Sequence, residues 1–230
     1  MARPHTQTHT QAPEPQDRRR LARRRVPTGP RGRERVERIL ATAEALLERV
    51  APDEITAAAI VAEAGISIGS FYQYFPNAQA ALAAVLQRRG DAVDRQTIAA
   101  IEGSGDLPWA EAVERIVDSV FANFGRLHEE HSTQLLSRSV VPSPELQGLA
   151  AESTARVTRA LHAHPRLAEA IPDPRRRWLV ARTTVEACTG IQGWAFGPWE
   201  DEHPIDPAAA AEEMKHLVKA YLGRYLEDPR

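Results

Sequence analysis

The chain has 230 residues, 43% of them hydrophobic, and its 29 basic residues against 31 acidic ones leave a net charge of −2. That is enough apolar material for a sizeable core, while the one cysteine, Cys188, excludes an internal disulfide and fits a reducing, cytoplasmic setting. No apolar run reaches the length of a membrane span, and the basic N-terminus lacks the apolar segment of a secretion signal, so no membrane partner is expected.

The near-neutral total hides an asymmetry. Residues 1–35 hold ten arginines against Glu14, Asp17 and Glu34, a local charge of +7 that leaves −9 on the remainder. Up to about residue 30 the chain is rich in Pro, Gln, Thr and Arg and nearly free of large apolar side chains. Such a composition cannot bury enough surface to order itself. Residues 1–30 are therefore expected to form a disordered, Arg-rich arm. Basic arms are common nucleic-acid contacts, which makes Arg23, Arg24, Arg25, Arg31 and Arg33 candidates; a merely solvated tail is the alternative.

Val36, Ile39, Leu40, Ala43, Leu47 and Val50 recur at helical spacing and predict one amphipathic helix. Thr56 then caps a short Ala-rich helix to Ala64, with Ile55 and Ile60 placed as a hydrophobic staple. Gly65 suits the left-handed residue that ends it. Ser67 caps the next helix, Ile66 and Phe71 form a second staple, and Pro76 stops it after one to two turns. Two short helices joined by a Gly-containing turn are the signature of a helix-turn-helix. In such a unit the start of the second helix meets base edges in the major groove. Here that means Ser67, Ile68, Gly69 and Ser70, with Gln73 suited to adenine if it faces the groove. The competing reading is a plain helical hairpin with Phe71, Tyr72, Tyr74 and Phe75 as core aromatics. It explains poorly why four aromatics crowd a helix too short to bury them all.

Between Val36 and Leu82 the basic residues are Arg38 and Arg49, against Glu37, Glu44, Glu48, Asp53, Glu54 and Glu63. This region therefore reads as acidic, and its second short helix carries no charge. Phosphate neutralisation supplies much of DNA affinity, so the arginine arm is the expected source of it.

Asn77 caps a helix to about Ala100, and Gly103-Ser104-Gly105 breaks the chain. Asp106 and Pro108 open a helix with the stripe Trp109, Val113, Ile116, Val117, Val120, Phe121, Phe124 and Leu127. A short helix near Thr133–Ser139 follows. Ser143-Pro144, Asp173-Pro174 and Asp206-Pro207 open three more, to about His162, to about Phe196, and over a last stripe from Met214 to Tyr225. No strand pattern survives. The helix from Asp173 to Phe196 is apolar around its circumference and must be covered on more than one face. One face fits its own core; the other, with the C-terminal helix, fits a second copy.

The run TAAAIVAEAGISIGSFYQYFPNAQAAL resembles the DNA-binding domain of the TetR family of bacterial transcriptional regulators over residues 34–82. The resemblance rests on Thr56, Ile60, Ala64-Gly65, Ser67, Gly69, Ser70, Tyr72, Phe75 and Leu82. It implies an all-α protein of about nine helices: a three-helix DNA-binding domain over 31–82 and a helical effector-binding and dimerisation domain over 83–230. It also implies a homodimer on a palindromic operator in double-stranded DNA, and release by a small-molecule effector. Thr56, Tyr72 and Tyr74 match family positions near DNA. Two positions depart from the family: Ile68 stands where a basic or polar residue is usual, and Ala78 where a phosphate-binding Lys is usual.

Phe121, Phe124, Leu135, Trp178, Cys188 and Trp194 are candidate lining for an effector pocket by residue type, which favours an apolar or aromatic effector. His128 and His131, and His162 and His164, match no zinc spacing with further ligands; solvated histidines and no metal are expected. Cys188 reads as an inert buried thiol. With no Gly-rich phosphate loop and no nucleophile elbow, neither enzyme activity nor a cofactor is expected. A nonspecific DNA-binding or adaptor protein using the arm is the alternative function, and a helical enzyme a more distant one.

Overall fold

The computed structural model describes residues 27–129, 144–196 and 205–226, and these contain nine α-helices and no strand. Helix α1 spans Pro30–Leu47. It begins six residues before the apolar stripe, with proline at its first position, where the missing N–H costs nothing. Its buried face is Val36, Ile39, Leu40, Ala43, Leu46 and Leu47, the three- and four-residue spacing of a single stripe. Helix α2 is Ala57–Ala64: Thr56 Oγ1 accepts from the Ala59 amide at 3.1 Å, and Gly65 closes the helix at φ 62°, ψ 40°. Helix α3 is Ile68–Tyr72, where Ser67 Oγ accepts from the Ser70 amide at 3.2 Å. Asn77 Oδ1 accepts from the Ala80 amide at 2.8 Å and opens α4, Ala78–Glu102. The local capping chemistry read from the sequence is thus the chemistry that forms.

The bundle that follows consists of α5 (Trp109–Glu129), α6 (Pro144–Ala163), α7 (Pro165–Ala170), α8 (Pro174–Phe196) and α9 (Pro207–Leu226). Asp173 and Asp206 each accept, at 3.1 Å, from the amide two residues on. Helix α7 was not expected. Its cue is His164-Pro165, the same proline-first signal, hidden because the preceding helix ends only two residues earlier. The helix expected near 133–139 lies outside the described residues, as do residues 1–26 of the arm.

Two hydrophobic cores result. The first joins α1, α2, α3 and the start of α4 around Ile39, Leu40, Ile60, Phe71, Phe75 and Leu82. The second joins α5, α7, α8 and α9 around Val117, Leu167, Ala181 and Met214. Helix α4 serves both regions. Its residues from Ala78 to Val85 belong to the first core, and its later turns pack on α5 and α6. No helix among the described residues is long and apolar enough to cross a membrane.

Helix α8 is only partly covered. Val180, Ala181, Thr184 and Val185 are buried, whereas Leu179 and Trp194 are 64% and 68% exposed. Trp178 on the same helix and Leu217 on α9 are also exposed.

Candidate functional site

Helix α3 lies on the surface of the first core and turns one side outward. Phe71 is fully buried, while Ser67, Ile68, Gly69, Tyr72 and Gln73 are exposed and Ser70 is half-buried. Thr56, the cap of α2, is exposed as well. The outward side is a small, uncharged platform of hydroxyls, one branched aliphatic side chain, one phenol and one carboxamide. Ser67 and Ser70 are linked by a 2.8 Å hydrogen bond between their hydroxyls. Burying Phe71, with its ring 5.8 Å from that of Phe75, fixes which side faces out.

Two expectations about the aromatics need correction. Phe71, Tyr74 and Phe75 are all buried, so this short segment does bury three of the four rings. It does so because the chain continues past α3 in a turn, Tyr74 N and Phe75 N both bonding to Phe71 O, which aims residues 74 and 75 inward. Tyr74 is therefore a core residue and not part of the outward platform; its proposed DNA contact gives way to an anchoring role. A Cβ on Gly32 would sit 3.1 Å from the Tyr74 hydroxyl and 3.2 Å from Pro27 Cβ. A side chain at position 32 would press on these neighbours, which would have to give way by a few tenths of an ångström. The same position brings Pro27, just ahead of α1, against Gly32. Arg31 and Arg33 are exposed on the first turn of α1.

The acidic balance of residues 36–82 is partly offset by two cations further along the chain. Arg88 and Arg89, on α4 beyond Leu82, reach back to α1. Arg88 donates to Glu37 at 3.2 Å and to Glu44; Arg89 Nε donates to Glu44 Oε1 at 3.0 Å and its guanidinium lies 3.9 Å from Glu48. Arg49 on the other side pairs with Glu63 at 2.6 Å. The acids of α1 thus fasten α1 to α4, with their charge largely matched. One continuous helix, α4, carries these two cations past the end of the motif.

The second site is a cavity of about 480 Å³ in the bundle, walled by α4, α5, α6, α8 and α9. Most of the wall is aliphatic or aromatic, including Ile101, Ile116, Val117, Val120, Val157, Val185 and Met214. Of the expected lining, Phe124 and Cys188 are on it. Phe121 is not: it is buried behind the wall, its ring 5.4 Å from that of Phe196, which does line the cavity. Trp178 and Trp194 are corrected to the outer surface of α8, because the helix turns its Thr184–Cys188–Gln192 side inward. Leu135 lies outside the described residues. Sequence reasoning missed Asp94, Thr97, Ser153, Thr154, Thr184, Thr189 and Gln192, the polar part of the described wall. Their cue was polar residues at helical spacing within otherwise apolar faces.

Burial pushes the Cys188 thiol up to about 12, so it stays protonated and unreactive at neutral pH. The histidines are not merely solvated. His164 is buried with Nε2 3.2 Å from Ser104 Oγ, and burial lowers its pKa. His162 packs edge-on against Trp178 at 5.5 Å. His131 lies outside the described residues. No cluster of three or more metal-ligating side chains occurs among those described.

Comparison with known proteins agrees with this arrangement. Residues 39–85 match the family described as bacterial regulatory proteins, tetR family, and residues 108–222 match the tetracyclin repressor-like C-terminal domain. No curated protein matches the chain significantly. Among solved structures, a TetR-family transcriptional regulator from Streptomyces coelicolor is 25% identical, with a TM-score of 0.54, over 85% of this chain and 99% of that one. A putative TetR-family regulator from Mesorhizobium loti has 14% identity and a TM-score of 0.60 over 86% and 99% of the two chains. SmeT, the repressor of the Stenotrophomonas maltophilia multidrug efflux pump SmeDEF, has 20% identity and a TM-score of 0.53 over 84% and 91%; SmeT has also been solved as a triclosan complex. The matches take in both the helix-turn-helix and the cavity-bearing bundle, and the chain belongs to the TetR family of transcriptional regulators.

Proposed function

We propose that the protein is a ligand-responsive repressor that binds a palindromic operator as a homodimer and leaves it when a small apolar or aromatic effector fills the cavity. The observation that carries this reading is the double membership of α4. Its first turns are part of the reading-head core, and Asp94, Thr97 and Ile101 further along it are cavity wall. A molecule that moves the wall moves the helix that holds α1 and α3 in place. Packed interiors pass such displacements on because they deform little.

The dimer is supported by the apolar surface left open on α8 and α9. Trp178, Leu179, Trp194 and Leu217 are too large and too numerous on one pair of adjacent helices to be scattered surface residues. A two-fold pairing there presents two copies of α3, and a two-fold reader fits a palindrome. SmeT, which shares the fold, forms a complex with triclosan, and the apolar wall described above suits small molecules of limited polarity. On DNA, Ser67, Ile68, Gly69, Ser70, Tyr72 and Gln73 address base edges and nearby phosphates, with Thr56 at the backbone. Arg23, Arg24, Arg25, Arg31 and Arg33 supply the electrostatic part of the affinity, the arm entering the minor groove beside the motif.

Selection of bound DNA from a random pool tests the reading. Recovery of a palindrome with two matching half-sites is the expected result. Recovery of unrelated sequences with equal affinity would instead favour a nonspecific DNA-binding or adaptor protein acting through its arm.

A further inference from the structure

Among the described residues, the cavity wall holds one carboxylate, Asp94, and no basic side chain. An acid in an apolar cavity would ordinarily select a cationic ligand. Here the acid is already matched. Asp94 accepts from Ser153 Oγ at 2.7 Å and from Arg156 Nη2 at 2.5 Å, and the same Arg156 Nη2 reaches Asp91 Oδ1 at 2.6 Å. Arg156 is not itself on the wall. It stands outside, ties α6 to α4, and holds Asp94 in an ion pair from behind, sharing its one positive charge with Asp91 and, at 3.9 Å, with Glu152. Hydrogen bonding to Asp94 is the main cause that holds its guanidinium above its ordinary pKa. The wall threonines on α6 and α8 are also engaged: Thr154, Thr184 and Thr189 each donate to a carbonyl one turn back on their own helix, at 2.9 Å. To an incoming molecule the described wall therefore presents hydrocarbon plus a few hydrogen-bonding atoms, its one carboxylate already engaged by Arg156 and Ser153.

We propose that the cavity takes an uncharged, mostly hydrocarbon molecule with a single hydrogen-bonding group, and that Arg156 sets this selectivity by holding Asp94 in an ion pair from outside the wall. A hydroxyl or phenol at the α4–α6 end donates to the free lone pairs of Asp94 without breaking the pair. A carboxylate there meets an acid with no basic wall residue to offset it. An ammonium must compete with Arg156 for the same oxygens. The inference rests on the effector-cavity reading given under the proposed function and adds the chemical class of the ligand.

The test uses the full chain and three probes on one skeleton: 4-hexylbenzyl alcohol, 4-hexylbenzylamine and 4-hexylbenzoic acid, compared by isothermal titration at pH 7. In the native protein the alcohol is expected to bind at least about tenfold more tightly than either charged probe. Arg156→Gln leaves the Asp94 charge unmatched, so the amine should gain about tenfold or more and overtake the alcohol. The double variant Asp94→Asn with Arg156→Gln removes both charges and should restore the preference for the alcohol. Amine binding as tight as alcohol binding in the native protein would overturn the charge rule, and so would an unchanged ranking in Arg156→Gln. If that variant does not fold, the native ranking and the double variant still decide the matter. Failure of all three probes to bind the native protein would overturn the effector-cavity reading itself, a result distinct from a wrong ranking.

Discussion

The reading head and the helical bundle are built from the same element and packed to opposite ends. In the reading head the interior is closed: Ile39, Ile60, Phe71 and Phe75 have no exposed surface, and every short helix is fixed by a side-chain cap or a proline. In the bundle five helices surround about 480 Å³ of unfilled space, and the outer side of α8 leaves two tryptophans and a leucine in solvent. A filled core keeps a recognition surface in one shape. A hollow core costs stability but leaves room for a ligand and for movement. Under the proposed function, DNA specificity belongs to the filled core and sensitivity to a small molecule to the hollow one, and α4 is the element common to both.

Mutations should therefore cost unequal amounts in the two regions. Phe71→Ala removes a fully buried ring from the closed core and is expected to destabilise the protein by about 3–5 kcal/mol in denaturant unfolding. Val117→Ala, on the cavity wall, removes atoms that already lack neighbours on one side and should cost only about 1–2 kcal/mol. Equal losses from the two, scaled to the atoms removed, would erase the distinction between a filled and a hollow core. On the reading surface, Ile68→Ala should leave stability within about 0.5 kcal/mol, since the side chain is 45% exposed. It should weaken binding to the selected operator by about 1–2 kcal/mol if the isoleucine meets a thymine methyl. Thr56→Ala loses the cap of α2 and should cost about 1 kcal/mol.

The smallest expected effect is in pH. His164 has a pKa depressed by burial, with the nearby Arg166 charge a lesser cause. A depressed base is neutral in the fold but takes up its proton more readily when unfolded. Its contribution to stability is complete above the ordinary histidine pKa and is lost as pH falls from there through the lowered value. The midpoint of urea unfolding should drop modestly between pH 7.5 and pH 5.5, and His164→Gln should remove part of that drop.

Much of the fold was legible because its signals are local. Thr56, Gly65, Ser67 and Asn77 act on backbone groups within three or four residues, and proline at the start of α1, α6, α8 and α9 needs no tertiary partner. The sites were less legible because they depend on which side of a helix faces inward. Nothing in the order of residues separates Phe124, on the cavity wall, from Phe121, behind it; both sit on one apolar stripe of α5. Trp178 and Trp194 are large and apolar, which suggests lining, yet their angular position on α8 puts them outside. The neutralisation of Glu37 and Glu44 by Arg88 spans 51 and 44 residues, beyond the reach of any pattern based on neighbours. Tyr74 is the reverse case. A family motif suggests an outward phenol, whereas the turn after α3 carries the ring inward to Gly32.

The proposed division of labour between an uncharged reading helix and a basic arm is tested most directly by the salt dependence of operator binding. The full chain is compared with a version lacking residues 1–26, which leaves α1 intact and removes seven arginines. The expected result is a large loss of affinity with the slope of log K against log salt shallower by about three units or more, while the preferred palindrome stays the same. An unchanged slope after the deletion would contradict it.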